Sequence, residues 1–292
     1  MSMALKEIKN RIKAANNIKQ ITKAMKLIAS IKLKKIQKTF FPFKSYLAGI
    51  TEFMAVLVKN SDFRLSVQNL EYFKQRESKK LMSVVISSDK GLCGAFNTNI
   101  FNFFEKRYGK TKKDDILLVA VGKKAYNFFS KRNYNIISFF DKVPDIPNFE
   151  FSKKISQIIL KNYSEDFNIS KVEVIYTKFI NSMKYEPDVY EFLPLNINLE
   201  KEASFNVDHF IFEPSVEKIG EYVFELYLNS VVYKLLIESK LSEFSSRYSA
   251  MNTATENADN LIKELKLFFF KKRQESITKE LLEISAGVEA LK

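Results

Sequence analysis

The sequence predicts an α/β fold in which a long antiparallel two-helix coiled coil, formed by the N- and C-terminal helices, accompanies a small central α/β (Rossmann-like) domain. Three observations predict it. The seven glycines and six prolines of the 292 residues avoid two stretches, Met1 to Phe41 and Glu221 to Ala286. Without breakers, both ends read as uninterrupted helices. Apolar side chains recur every seven residues through both ends, the seam of a left-handed coiled coil. Between them, β-branched runs alternate with helical segments. The resulting domains are an N-terminal helix over 1–60, an α/β foot over 80–200 and a C-terminal helix over 212–292.

Taken in order, the N-terminal seam is Ile8, Ala15, Thr22, Ala29 and Ile36, with Ile12, Ile18, Met25 and Leu33 between them. Strands follow at Leu81–Ser87, Ile116–Val121, Ile136–Phe140, Val172–Phe179 and Val189–Leu195. Helices fall at Ala95–Tyr108, after Gly122 to about Lys131, and at Phe149–Tyr163. The C-terminal seam pairs Ile237, Phe244, Met251, Ala258 and Leu265 with Leu241, Tyr248, Thr255, Ile262 and Phe269, each four residues behind. Small residues at Ala15, Ala29 and Ala258 let two helix axes approach closely. Beyond Phe269 the seam fails, and a new stripe of Ile277, Leu281, Ile284 and Val288 emerges on a rotated face. A straight helix over the C-terminal stretch would reach about 99 Å, against a radius of gyration of about 19 Å for a compact chain of this length. The sequence therefore predicts a rod rather than a globule.

Composition narrows the function. With 46% apolar residues the chain can bury a real core. One cysteine, Cys93, and one histidine, His209, exclude a disulfide scaffold and a structural zinc site. The opening MSMALKEIKN lacks an apolar signal segment, and no apolar run approaches the ~20 residues of a spanning helix. A cytoplasmic chain, soluble or peripheral to a membrane, is expected. The formal charge is +13, and Met1 to Phe41 carries 11 basic residues against the single acid Glu7. Such a segment suits an acidic partner: nucleic acid, anionic lipid or an acidic protein surface. An excess of 40 Lys over 7 Arg argues against base readout, which favours the bidentate guanidinium.

No catalytic constellation stands out. The turn Ser88-Asp89-Lys90-Gly91-Leu92-Cys93-Gly94 lies between strand and helix, as a phosphate loop would. Its glycine spacing matches neither dinucleotide nor P-loop motifs, and Asp89 would repel phosphate. A structural turn is the better reading, and Cys93 within it lacks a base in sequence reach. His209, between Asp208 and Phe210, reads as a loop or core residue.

Three segments carry a resemblance: IKQITKAMKLIAS (Ile18 to Ser30), ISSDKGLCGAFN (Ile86 to Asn97) and RYSAMNTATENADNLIKELKLFFFKKRQESITKELLEISAG (Arg247 to Gly287). Together they resemble the gamma subunit of the F-type ATP synthase, over essentially the whole chain. That resemblance implies a non-catalytic rotor shaft without a cofactor, turning inside the alpha and beta subunits of F1. Its foot would rest on the c-subunit ring of Fo beside epsilon, peripheral to the cytoplasmic face of the cell inner membrane. It further implies coupling contacts with a beta subunit at Met25, Lys26 and Arg247, and at Arg273, Gln274, Thr278 and Glu280. Ile31, Ala95 and Val288 depart from the family pattern, away from those positions. A nucleic-acid-binding coiled coil, with salt-sensitive duplex affinity, and an α/β enzyme using Cys93 are the alternatives.

Overall fold

The computed structural model describes residues 3–59, 63, 72–195, 212–213 and 215–289. His209 lies outside them. Helix α1 spans Met3–Lys59, and the chain continues through strand β1 (Lys80–Ile86), helix α2 (Phe96–Tyr108) and strand β2 (Ile116–Val121). Helix α3 (Lys123–Ser130), strand β3 (Asn135–Phe140), helix α4 (Phe149–Glu165), strand β4 (Ile169–Phe179) and strand β5 (Tyr185–Leu193) follow, and helix α5 runs over Val216–Glu289. The chain divides into two compact units. One joins residues 1–29 to 247–292, and the other holds residues 30–246.

In the second unit the five strands form one sheet of order β3-β2-β1-β4-β5. The first four are parallel, and β5 runs antiparallel beside β4. A parallel sheet must be covered on both faces, and here alternate residues feed two cores. Met82, Val84 and Ile86 of β1 meet α1, α4 and α5 on one face. Leu81 and Val85 meet α2 and α3 on the other. β5 starts four residues earlier than the sequence reading placed it, because its Pro187 is tolerated on an edge strand, where no outer neighbour needs the missing N–H.

Helix α1 continues through Pro42, where a mid-helix proline removes a hydrogen bond and clashes with the preceding turn at a cost of about 3 kcal/mol. Burial offsets that cost: Leu47, Ile50, Met54, Leu57 and Val58 join the core beyond it. The same helix contains an 18-residue window apolar enough, by length and composition, to cross a membrane. The expectation that no such stretch exists is corrected here; a third of that window is buried within the protein. Helix α5 likewise runs through Gly220, where an added Cβ would overlap the buried Phe63 ring. Glycine is what lets that ring lie against the helix backbone.

In the first unit, the N-terminal part of α1 and the C-terminal part of α5 form an antiparallel pair. Lys26 meets Asn252, Thr22 meets Thr255 and Lys19 meets Asp259, so one partner descends the chain as the other climbs. The heptad positions Ile8, Ala15, Thr22 and Ala29 are buried, and so are Met251, Ala258 and Ile262 opposite.

Candidate functional site

The seam of the helix pair departs from a purely apolar one at a specific place. Ile18, expected between the helices, is 55% exposed. Four residues after Ala15 and Thr22 the helix presents Lys19 and Lys26 instead. On a helix residues three and four apart are both neighbours, and here Lys19 and Lys26 continue the row while Ile18 turns outward. Lys19 Nζ lies 2.5 Å from Asp259 Oδ1. Lys26 Nζ donates to Asn252 Oδ1 at 2.6 Å and lies over the Tyr248 ring. Their aliphatic stems cover apolar surface while their heads reach polar partners at the rim. Two charges of the basic segment are thus used within the pair itself.

The remaining predicted coupling residues separate into distinct settings. Met25 and Lys26 are half-buried, and Arg247 is buried. Arg273, Gln274, Thr278 and Glu280 are exposed along α5, with Glu280 accepting a hydrogen bond from Ser276 Oγ at 3.2 Å. Arg273, Gln274, Thr278 and Glu280 lie within two turns of one another on a single helix, whereas Met25 and Lys26 come from the other strand of the pair. The stripe of Ile277, Leu281, Ile284 and Val288 is exposed, as are Leu267, Phe268 and Phe270 before it. Large apolar groups in water forgo about 1.5–3 kcal/mol each of burial.

The glycine-containing turn after β1 is a structural junction. Leu92 and Gly94 have positive φ of 59° and 55°, and only the glycine is unstrained there. Asp89, read from sequence as a deterrent to phosphate, caps two segments: Oδ1 accepts from Lys123 N at 2.9 Å, and Oδ2 from Val143 N at 2.8 Å. Ser87 Oγ accepts from Ala125 N at 2.8 Å. Cys93 is 2% exposed, with its Sγ beside Asn97 Nδ2, Ser88 Oγ and Lys90 O. The thiol is packed among an amide, a hydroxyl and a carbonyl, inside the turn that leads into α2. Among the described residues no group of three or more His, Cys, Asp or Glu is placed to hold a metal ion.

Sequence reasoning missed the polar face of α5. From Tyr227 to Arg247 every residue but Lys234 is buried, including Asn229, Glu238, Ser239, Lys240, Ser242, Glu243 and Ser246. Lys240 Nζ and Glu243 Oε2 pair at 2.9 Å. Burial pushes the Glu238 carboxyl above its ordinary range, against the pull of Lys234, Lys178 and Lys44. The density of serine between residues 239 and 246 was the signal available.

Comparison with known proteins places these features. The family described as ATP synthase matches residues 4–291. The ATP synthase gamma chain of Clostridium kluyveri is 36% identical, over 98% of this chain and 97% of its own. That of Aquifex aeolicus is 34% identical, over 98% and 97%. Among solved structures, the central stalk and c-ring of the Tetrahymena thermophila mitochondrial ATP synthase contains a chain 29% identical, with a TM-score of 0.63 over 80% of this chain and 99% of that one. The Euglena gracilis mitochondrial ATP synthase contains one at 18% identity whose fold superposes with a TM-score of 0.67 over 99% and 94%.

Proposed function

The chain belongs to the ATP synthase gamma-chain family, and from that premise we propose that it is the central rotor shaft of the enzyme, coupling proton-driven rotation of the c-ring to conformational cycling of the catalytic beta subunits. It is a non-catalytic subunit: the bond chemistry of ATP belongs to its partners, and its own contribution is to transmit torque. The alpha and beta subunits of F1, the epsilon subunit and the c-ring are the partners. Its attachment to the membrane is peripheral, through those partners, at the cytoplasmic face of the cell inner membrane.

The observation that carries the reading is the antiparallel pair of helices from the two ends of one chain, bound by Lys26–Asn252, Thr22–Thr255 and Lys19–Asp259. Such a pair exposes different side chains on each side. Rotation therefore presents different faces in succession to surrounding subunits. Within it, Met25 and Lys26 act against one beta-subunit loop, and Arg247 takes part in coupling from the C-terminal helix. Arg273 and Gln274, with Thr278 and Glu280, act against another by charge-assisted hydrogen bonds worth about 1.5–3 kcal/mol each. The exposed stripe Ile277, Leu281, Ile284 and Val288 supports burial of the helix end in an apolar collar of the ring.

The test is co-purification with a tagged beta subunit, followed by ATP hydrolysis and proton pumping with and without this chain. The chain should restore coupled pumping to a complex that lacks it. The variant Arg273→Ala with Gln274→Ala should assemble and yet turn over more slowly. Wild-type turnover and pumping in that variant would remove the role given to those two residues while leaving the shaft in place.

A further inference from the structure

In doubly wound sheets the crevice outside the carboxyl ends of the strands, where the strand order reverses, is where ligands bind. Here the reversal falls between β1 and β4. Helix α5 occupies it. Thr177, near the carboxyl end of β4, lies beyond the last β1 partner of that strand, Ile175, so its N–H and C=O on that side have no ladder. Ser239 Oγ accepts from Thr177 N at 3.2 Å, and Ser242 Oγ donates to Thr177 O at 3.2 Å, sharing its one hydrogen with Glu238 O of its own helix. One turn on, Ser246 Oγ donates to Cys93 O, in the turn that leaves β1, at 2.6 Å. The helix thus completes the hydrogen bonding at the end of β4 and ties down the turn that follows β1.

Two further contacts hold the same helix. Asn229 hydrogen-bonds Ser156 of α4, and Tyr233 Oη donates to Pro147 O in the loop before it. Apolar packing is non-directional, and a hydroxyl bonded to a backbone oxygen adds a direction to it, because hydrogen bonds weaken steeply with angle.

Resting on the rotor reading, we propose that Ser239, Ser242 and Ser246 are positioning residues that key α5 to the sheet, so that torque passes between them without slip. The fold closes its ligand crevice in order to grip its own shaft. Ser230 and Ser245 supply a built-in control, since both are buried on the same helix and their hydroxyls have no hydrogen-bond partner among the described residues.

The experiment reconstitutes the full enzyme in liposomes with wild-type chain, Ser246→Ala, Ser242→Ala, the triple variant with Ser239→Ala, or the controls Ser230→Ala and Ser245→Ala. ATP-driven proton pumping is read against increasing opposing gradients, alongside hydrolysis without a gradient. Keyed serines predict near-normal unloaded hydrolysis and pumping that falls several-fold as the opposing gradient grows, with both controls matching wild type. Pumping equal to wild type at every gradient overturns the proposal. So does a loss of the same proportion at every gradient, or an equal loss in the controls, since either marks a structural role alone. If the triple variant does not assemble, the two single variants are judged by the same load dependence, and their failure to assemble also overturns it. Failure of the wild-type chain to restore coupled pumping would instead sink the rotor reading itself.

Discussion

One helix, α5, lives in two environments. Over residues 227–246 it is buried on nearly every side, and over 248–288 only a stripe is covered. In a helix wrapped all round by protein, water is not at hand for the polar groups, and Ser239, Ser242, Ser246, Asn229 and the Lys240–Glu243 pair find protein partners there, while the Ser230 and Ser245 hydroxyls find none among the described residues. The second stretch has water as the default partner, and its ion pairs Lys272–Glu275 and Lys279–Glu283 are short-range and exposed. The same backbone geometry therefore tolerates very different side chains. Position along the helix says little about the consequence of a change; surroundings say nearly everything.

Substitutions should separate the two stretches most clearly at apolar positions. Leu235→Ala, fully buried, should cost about 2–5 kcal/mol because the cavity adds to the lost transfer energy. Leu281→Ala, exposed, should stay within about 0.5 kcal/mol. Denaturant unfolding of the chain measures both, and equal values would erase the distinction.

The helix pair sits between these extremes. Ala29 is wholly buried on its seam, so Ala29→Leu should force the axes apart and cost about 1–3 kcal/mol. A neutral result would show the seam to be loosely packed. Thermal unfolding and tryptic cleavage within residues 3–29 both report it.

Glu238 sharpens the comparison electrostatically. Its folded pKa is raised by burial, so the folded state holds the proton more tightly than the unfolded one. Stability from this group is therefore greatest below the ordinary glutamate range and is lost as pH rises through the folded pKa. Glu238→Gln should make the protein more stable at pH 7 and should lose that advantage in acid. A melting-temperature difference that is constant with pH would refute the assignment. A small effect is also expected in the first unit. Asp259→Asn removes the partner of Lys19, and with both side chains more than a third exposed, the loss should remain below about 1 kcal/mol and vanish in high salt.

The helical ends were legible because breaker-free heptads have few alternatives: a seven-residue apolar period fits one stripe of a helix and no strand. The strands were legible because buried parallel strands are continuous β-branched runs, as in Leu81 to Ile86 and Ile116 to Val121. Ile18 misled because residues three and four apart are both neighbours on a helix, and a lysine stem can hold a seam position that hydropathy assigns to the isoleucine beside it.

By itself, then, the sequence determined periodicity, strand order along the chain and the family to which it belongs, since all of these are written in local spacing and motif. Tertiary structure alone decided that Asp89 caps α3, that Lys19 and Lys26 serve the seam, and that three serines of α5 reach Thr177 and Cys93. Those partners lie between 34 and 240 residues apart. A hydrogen bond across such a separation depends on where the fold brings two backbones, and no spacing along one of them records the other.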